Sequence, residues 1–369
     1  MMHIYIANRL HKFSLISVCL LFCVTAFSRP VKEADELQLF PANHPYFQYV
    51  GRIDFSNAQL PRFWMPGVYI TAKFTGTSCT VLLNDEMLYG NFHNYIEIVI
   101  DNNKPVRMRL SGKQNEIEAA TGLPAGNHII VICKNTEAGI GYLEFAGLKC
   151  KNLKRLPAKP SHTIEFIGNS ITCGTGSDQS EIPCGKGVWQ DQHNAYLSYG
   201  AVTARTLHAQ YHLSAVSGIG LMHSCCNLNI IMPQVFDKIN MRNDSIAWNF
   251  MQYIPDLVTI CLGQNDGAQD SSHFCDNYLA FIKQIRNNYP KATIVCLTSP
   301  MADDKLVVIM KKYLTAIVNK SNEAGDKQVY PFFFSKRYYH GCDTHPDLEE
   351  HRQIAGELTA CIKKIKHWR

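Results

Sequence analysis

Four short stretches after residue 167 of this 369-residue chain carry side chains suited to acyl transfer. Ser170 stands in Gly168-Asn169-Ser170-Ile171-Thr172, beside a glycine and just after an apolar run, where its hydroxyl can point into a crevice. A serine hydroxyl is a weak nucleophile and needs a base. His345, in Cys342-Asp343-Thr344-His345-Pro346, is the candidate base, because Pro346 holds it out of the helix that follows and leaves its ring free. Ser217-Gly218-Ile219-Gly220 offers a backbone N–H able to approach a substrate oxygen closely. Gly263-Gln264-Asn265-Asp266 offers a side-chain amide that can donate to a developing oxyanion.

Each stretch has a plainer reading when taken alone. The Ser170 and Gly218 stretches are turns, Asp266 caps a helix after an Asn-Asp turn, and Pro346 simply opens a helix beside His345. Their placement changes the balance. Residues 163–167, 213–216, 257–262, 293–297 and 329–334 read as short buried strands with helical patterns between them. Asp276 is a candidate cap for a helix with Tyr278, Phe281, Ile282 and Ile285 on one face. A last helix carries Ile354, Leu358, Cys361, Ile362 and Ile365 on one face. Strands alternating with helices imply a parallel sheet covered on both sides. Such sheets place their sites at the C-terminal ends of the strands. Ser170, Gly218 and Asn265 each follow one of these strands.

The first half has a different period. Val68, Ile70, Ala72 and Phe74 alternate with Tyr69, Thr71, Lys73 and Thr75. Val106, Met108 and Leu110 alternate with Arg107, Arg109 and Ser111, and Ile129, Val131 and Cys133 repeat the pattern. Turn residues such as Asp101-Asn102-Asn103 and Ala125-Gly126-Asn127 separate the runs. Period-two runs with short turns predict an antiparallel sandwich with one buried face per sheet. Lys154, Arg155, Pro157, Lys159 and Pro160 then form a polar, proline-bearing linker over residues 151–161. The expected organisation is a leader over 1–28, an all-β jelly-roll sandwich over 29–153 and an α/β/α domain over 154–369.

The order Ser, Gly, Asn, His, with the four local sequences quoted above, resembles the SGNH or GDSL-type hydrolases, whose fold is a flavodoxin-like α/β/α layer. A sandwich placed before such a domain resembles carbohydrate esterase family 2, as do Gly51-Arg52-Ile53-Asp54, Lys134-Asn135-Thr136-Glu137 and Ser170-Ile171-Thr172-Cys173-Gly174. That resemblance covers nearly the whole chain after the leader. It implies removal of acetyl groups from plant polysaccharides such as xylan and glucomannan. It implies Ser170 as nucleophile, His345 as base, and an oxyanion hole built from the N–H groups of Ser170 and Gly218 with the Asn265 side chain. The chain departs from the common pattern at Asn169, where many relatives have Asp, and at Gln264, where Thr or Ser is commoner. The position three before the histidine, usually Asp, is Cys342. Either Asp343 orients His345, or backbone carbonyls do so and leave a Ser–His dyad. Trp189, in the long loop after Ser170, is a candidate sugar platform, with packing beneath that loop as the other reading. Trp248 has the same two readings. Asn194 reads as a helix cap and His351 as a surface residue of the last helix.

Composition bounds the rest. With 46% hydrophobic and 18% charged residues the chain is globular. The formal net charge is +5, with no basic stripe interleaved with aromatics, so nucleic acid is not an expected partner. Arg9 and Lys12, the apolar run over 13–27 and Ala26-Phe27-Ser28 read as a secretory signal cleaved after Ser28. The run is short for a membrane-spanning helix, which needs roughly 20 apolar residues. A secreted or periplasmic monomer free of the membrane is therefore expected. Of the 14 cysteines, Cys79, Cys133, Cys261 and Cys296 fall in strand patterns, where a free thiol acts as a small hydrophobe. Cys173 and Cys184 flank a loop and are candidates to pair; the rest are expected to be mostly buried thiols. No spacing suggests a metal site, and Gly174-Thr175-Gly176 is followed by Gln179 where a dinucleotide fingerprint needs glycine. No cofactor is expected. A lipase or thioesterase on the same fold, and a carbohydrate-binding protein without activity, are the competing functions.

Overall fold

A computed structural model of the chain describes residues 36–243 and 246–368. The expected leader over 1–28 lies outside them. The first nine strands are β1 (Gln38–Pro41), β2 (Gln48–Val50), β3 (Arg62–Phe63), β4 (Tyr69–Asp85) and β5 (Tyr95–Ile100), then β6 (Val106–Arg109), β7 (Gln114–Ala120), β8 (Asn127–Lys134) and β9 (Leu143–Lys154). All their pairings are antiparallel, and β4 is the spine. One edge of β4 pairs with β8 from Tyr69 to Thr75 and with β7 from Cys79 to Asn84. Its other edge pairs with β9, with a break in register between Thr75 and Cys79. Changing partners midway gives one strand two sets of neighbours. The alternation along it is real: Val68, Ile70, Ala72 and Phe74 are at most 2% exposed.

The expected phase fails on β6 and β8. Val106 is 56% exposed, whereas the Arg107 side chain is only 5% exposed. The Arg107 guanidinium lies 3.9 Å from the Tyr95 ring centroid and donates to the carbonyls of Asp191 and His193. A second lobe covers this outer face, so a long cation with aromatic and carbonyl partners is buried there and the valine is left outside. On β8 it is Ile130 and Ile132 that enter the core, while Ile129 is exposed. Cys133 and Val131 pack instead with Tyr196 and Leu197 of the second lobe.

The second lobe holds five strands, β10 (His162–Gly168), β11 (Ala209–Ala215), β12 (Leu257–Ile260), β13 (Thr293–Leu297) and β14 (Val329–Phe332), all parallel in the order β11-β10-β12-β13-β14. Its helices are α1 (Ser170–Cys173), α2 (Tyr199–Thr206), α3 (Met232–Val235), α4 (Ser271–Asn288), α5 (Asp304–Glu323) and α6 (Leu348–Lys366). The five runs expected to be strands are the five strands. An antiparallel β region followed by a parallel sheet with helices is the two-domain architecture expected.

Local assignments differ in four places. Helix α4 is capped by Asp270, which accepts from the His273 N–H at 2.9 Å; Asp276 lies in its second turn and pairs with Lys320. The apolar face begins at Phe274, which draws the start one turn earlier. Asn194 caps no helix. Its amide is buried, bonding Asp178 at 2.8 Å and Glu97 at 3.3 Å, and α2 starts after Ser198. His351 is fully buried: its Nδ1 accepts from the Tyr199 N–H at 3.1 Å, because α2 packs on α6 along that face. Cys173 is a free buried thiol, and Cys184 is bonded to Cys342 instead.

The two lobes share one compact unit, Asp35–Arg369. Arg52 crosses between them. Its guanidinium bonds Glu165 of β10 at 2.8 Å and the carbonyls of Phe236 and Lys238, and both charged side chains are buried. Trp248 is buried beside this guanidinium and packs edge-on against His212, so it is interdomain core.

Candidate active site

The C-terminal ends of β10, β11 and β12 carry the site. Strand β10 ends at Gly168, where an added Cβ would meet the Thr172 hydroxyl at 2.1 Å; only glycine lets α1 turn so tightly off the strand. The Asn169 side chain accepts from the Ile171 N–H at 3.2 Å and starts that one-turn helix, with Ser170 as its first residue. Ser170 is thereby held at the strand end, and no acceptor among the described residues takes its N–H, as is usual for first-turn amides.

His345 approaches from the loop before α6. That helix begins with an Asp347–Glu350 capping box, so His345 stays extended outside it. Its Nε2 lies 2.8 Å from Ser170 Oγ, and its Nδ1 lies 3.1 Å from the Cys342 carbonyl. A carbonyl only accepts, so the proton sits on Nδ1 and the Nε2 lone pair faces the serine hydroxyl. Burial pushes the His345 pKa below its ordinary value, opposed by the Cys342 carbonyl and the Asp343 charge. The imidazole is therefore neutral at neutral pH, as a general base must be.

Asp343 lies beside this pair, and its main chain and charge favour the protonated imidazole while its carboxylate stays out of the hydrogen bonding. It sits in left-handed backbone (φ 51°), its side chain is exposed, and its carboxylate makes no hydrogen bond to the imidazole. Gly218 has φ 82°, a conformation that favours glycine, and no acceptor within the described residues takes its N–H. Asn265 spends one amide hydrogen on the Ile219 carbonyl at 2.8 Å, which ties the third loop to the second and leaves its other hydrogen available. Asp266 caps no helix; its carboxylate collects the N–H groups of Leu221, Met222 and His223 and holds the same loop.

Trp189 is 45% exposed and meets His193 edge-on at 4.3 Å. His193 is buried, both its ring nitrogens lack partners among the described residues, and burial with the nearby His345 drives its pKa well down. Trp189 is thus not sealed beneath its loop.

Some contributors gave no sign in the sequence of their place at the site, although Lys134-Asn135-Thr136-Glu137 is one of the stretches that carry the family resemblance. Glu137 comes from the β lobe, is fully buried, and accepts from the Ser217 N–H at 2.7 Å, next to Gly218. Lys134 lies close by, bonded to the Thr136 and Glu137 carbonyls, and burial pushes its pKa down to about 7. The Cys184–Cys342 bond anchors the long loop to the residue whose carbonyl orients His345. Only the vacancy at the usual Asp position hinted that something else must hold the histidine.

A Ser–His pair at the C-terminal edge of a parallel sheet, joined to an antiparallel β lobe, defines the two-domain ester hydrolases as the class. Residues 49–160 match the carbohydrate esterase 2 N-terminal model, and residues 166–333 match the GDSL-like lipase/acylhydrolase family. A family two carbohydrate esterase from Clostridium thermocellum, solved in complex with cellohexaose, aligns with a TM-score of 0.79 at 30% identity, over 88% of this chain and 100% of that one. The chain is 32% identical over 350 residues to the cellulase/esterase CelE of Acetivibrio thermocellus, covering 91% of this chain and 41% of that protein. It is 27% identical to an acetylxylan esterase / glucomannan deacetylase of Cellvibrio japonicus, over 89% of this chain and 91% of that one. The chain belongs to carbohydrate esterase family 2. It spans less than half the length of CelE.

Proposed function

We propose that this protein is a secreted esterase that removes O-acetyl groups from a plant polysaccharide, acetyl xylan or acetylated glucomannan, through a serine acyl-enzyme. The observation that carries the reading is the 2.8 Å contact between Ser170 Oγ and His345 Nε2, with Nδ1 held by a carbonyl. Ser170 Oγ attacks the acetyl carbonyl carbon as its proton passes to Nε2. The oxyanion is met by the N–H groups of Ser170 and Gly218 and by the Asn265 amide; losing one such donor costs about 100- to 1,000-fold. The tetrahedral intermediate collapses, and the sugar oxygen leaves with the proton from Nε2. Water, deprotonated by the same nitrogen, then attacks the acetyl-serine and releases acetate. No metal or cofactor enters these steps.

The substrate class is supported by relatives named acetylxylan esterase / glucomannan deacetylase. Trp189, exposed and in contact with His193, is the proposed sugar platform. Secretion fits a polymeric substrate and the Cys184–Cys342 bond, because disulfides persist in oxidising compartments. The test is release of acetate from acetyl xylan and acetylated glucomannan by the wild-type chain and by Ser170→Ala and His345→Ala. Both variants are expected to be folded and inactive, with wild-type rates falling steeply as the acyl chain lengthens. Full activity in either variant would overturn the mechanism, and a preference for long acyl chains would overturn the substrate.

A further inference from the structure

The crevice between the two lobes holds a second concavity, at the end of the parallel sheet away from Ser170. Its floor includes Ala209, Gln210 and Tyr211, the first residues of β11, whose partners are the first residues of β10. Ser170 follows the other end of β10, six residues on, or about 20 Å along a strand. The cavity measures about 510 Å³. That lies within the range of small-ligand sites, which favour domain interfaces.

Its lining is chemically lopsided. Tyr69 and Tyr211 face each other with ring centroids 4.9 Å apart, and Tyr196 carries the Arg205 guanidinium on its ring face at 3.8 Å. The Arg205 side chain has no ion pair and no hydrogen bond among the described residues, and its Nη1 is buried without a partner. Lys159 adds a second cation, its Nζ spent on the Tyr49 carbonyl, and no Asp or Glu lines the cavity. A guanidinium held against apolar walls without a counter-charge is costly. A planar carboxylate matches the guanidinium fork bidentately and supplies the counter-charge that the lining lacks. Tyrosine rings supply flat apolar surface with a polar tip, which suits the C–H face of a sugar ring.

We propose that this crevice is a second, non-catalytic site for a carboxylate-bearing sugar, a uronic acid unit of an acidic polysaccharide. Arg205 meets the carboxylate, and the half-buried Tyr69 ring offers the surface for the sugar, with Tyr211 and Tyr196 buried behind it and beneath the guanidinium. The negative charge of the ligand follows from the cavity alone. That its body is a sugar rests on the carbohydrate substrate proposed above.

The test uses the full chain carrying Ser170→Ala, so that binding is read without turnover. Its probes are a xylo-oligosaccharide carrying one glucuronic acid, the neutral oligosaccharide of the same length, and 4-hydroxybenzoate as a carboxylate without a sugar. The acidic oligosaccharide is expected to bind about tenfold or more tighter than the neutral one, as a charge-assisted hydrogen bond gives. Adding Arg205→Gln removes that difference, and Arg205→Lys keeps part of it. With Ser170 intact, Arg205→Gln leaves hydrolysis of 4-nitrophenyl acetate unchanged, which also shows that the variant folds. Equal affinity of the Ser170→Ala chain for the two oligosaccharides would overturn the proposal without any Arg205 variant. So would undiminished discrimination in Arg205→Gln, or tighter binding of 4-hydroxybenzoate than of the acidic oligosaccharide. Failure of the esterase reading shows separately, as no acetate release by the wild-type chain.

Discussion

The backbone carbonyl of Cys342 lies 3.1 Å from Nδ1 of His345, and the sulfur of the same Cys342 is bonded to Cys184. The residue that stands where related hydrolases carry an aspartate thus orients the histidine through its main chain. Its side chain meanwhile ties down the loop it belongs to.

Asp343→Asn is expected to lose less than about tenfold in kcat/KM. Where a carboxylate truly holds the histidine tautomer, neutralising it costs about 10,000-fold. The Asp343 charge favours protonated His345, so its removal lowers the His345 pKa further. The acid limb of the kcat/KM profile, already below the ordinary histidine value of about 6.5, should move to lower pH. A pH–rate profile of wild type and variant reads both effects, and a loss of about 1,000-fold or more would restore a triad.

Cys184→Ser should lower kcat more than it raises KM, because the carbonyl that fixes His345 loses its tether. It should also destabilise the chain. The bond spans 158 residues, and cross-links of long loops contribute typically about 2–5 kcal/mol. Steady-state kinetics and urea unfolding, with and without reductant on the wild type, measure the two effects. Unchanged kcat in the unbridged chain would mean that the loop holds its shape unaided.

Arg52→Ala should cost about 3–5 kcal/mol, because it leaves Glu165 buried without its counter-charge. Ser214 would remain as a neutral donor to the same oxygen. Arg52→Ala with Glu165→Gln should be milder than Arg52→Ala alone. Denaturant midpoints of the two variants and the wild type decide this.

Stability should fall as pH drops below about 6.5. His193, His212 and His351 are buried, and burial lowers the pKa of each, that of His351 to about 3. Unfolded histidines take up protons near pH 6.5. The unfolded state therefore binds more protons between that pH and the lowered folded values, and stability is lost as pH falls through this window. Each such histidine contributes a slope approaching about 1.4 kcal/mol per pH unit. Thermal melts from about pH 7.5 to about 4.5, which bracket that window, test the sign. A midpoint that rises on acidification would show that these rings are protonated in the fold.

Much of this protein is legible in its sequence, because the patterns that encode it are local. The five short apolar runs become β10 to β14, and the period-two run from Val68 to Phe74 becomes the inward face of β4. Ser170, Gly218 and Asn265 could be picked out because each sits within a few residues of a strand end, and a parallel sheet sends all such ends to one edge. What the sequence could not supply depends on partners distant along the chain. Arg107 is buried and Val106 exposed because a second lobe covers that face. Glu137 reaches the Gly218 loop from the other lobe, and His351 is buried because α2 packs on α6. Cys184 finds Cys342 rather than Cys173 because the long loop folds back over the His345 turn. The hydrogen bond that holds His345 is made by a main-chain carbonyl, a group every residue carries, so no residue type could announce it; only the folded backbone decided where that carbonyl points.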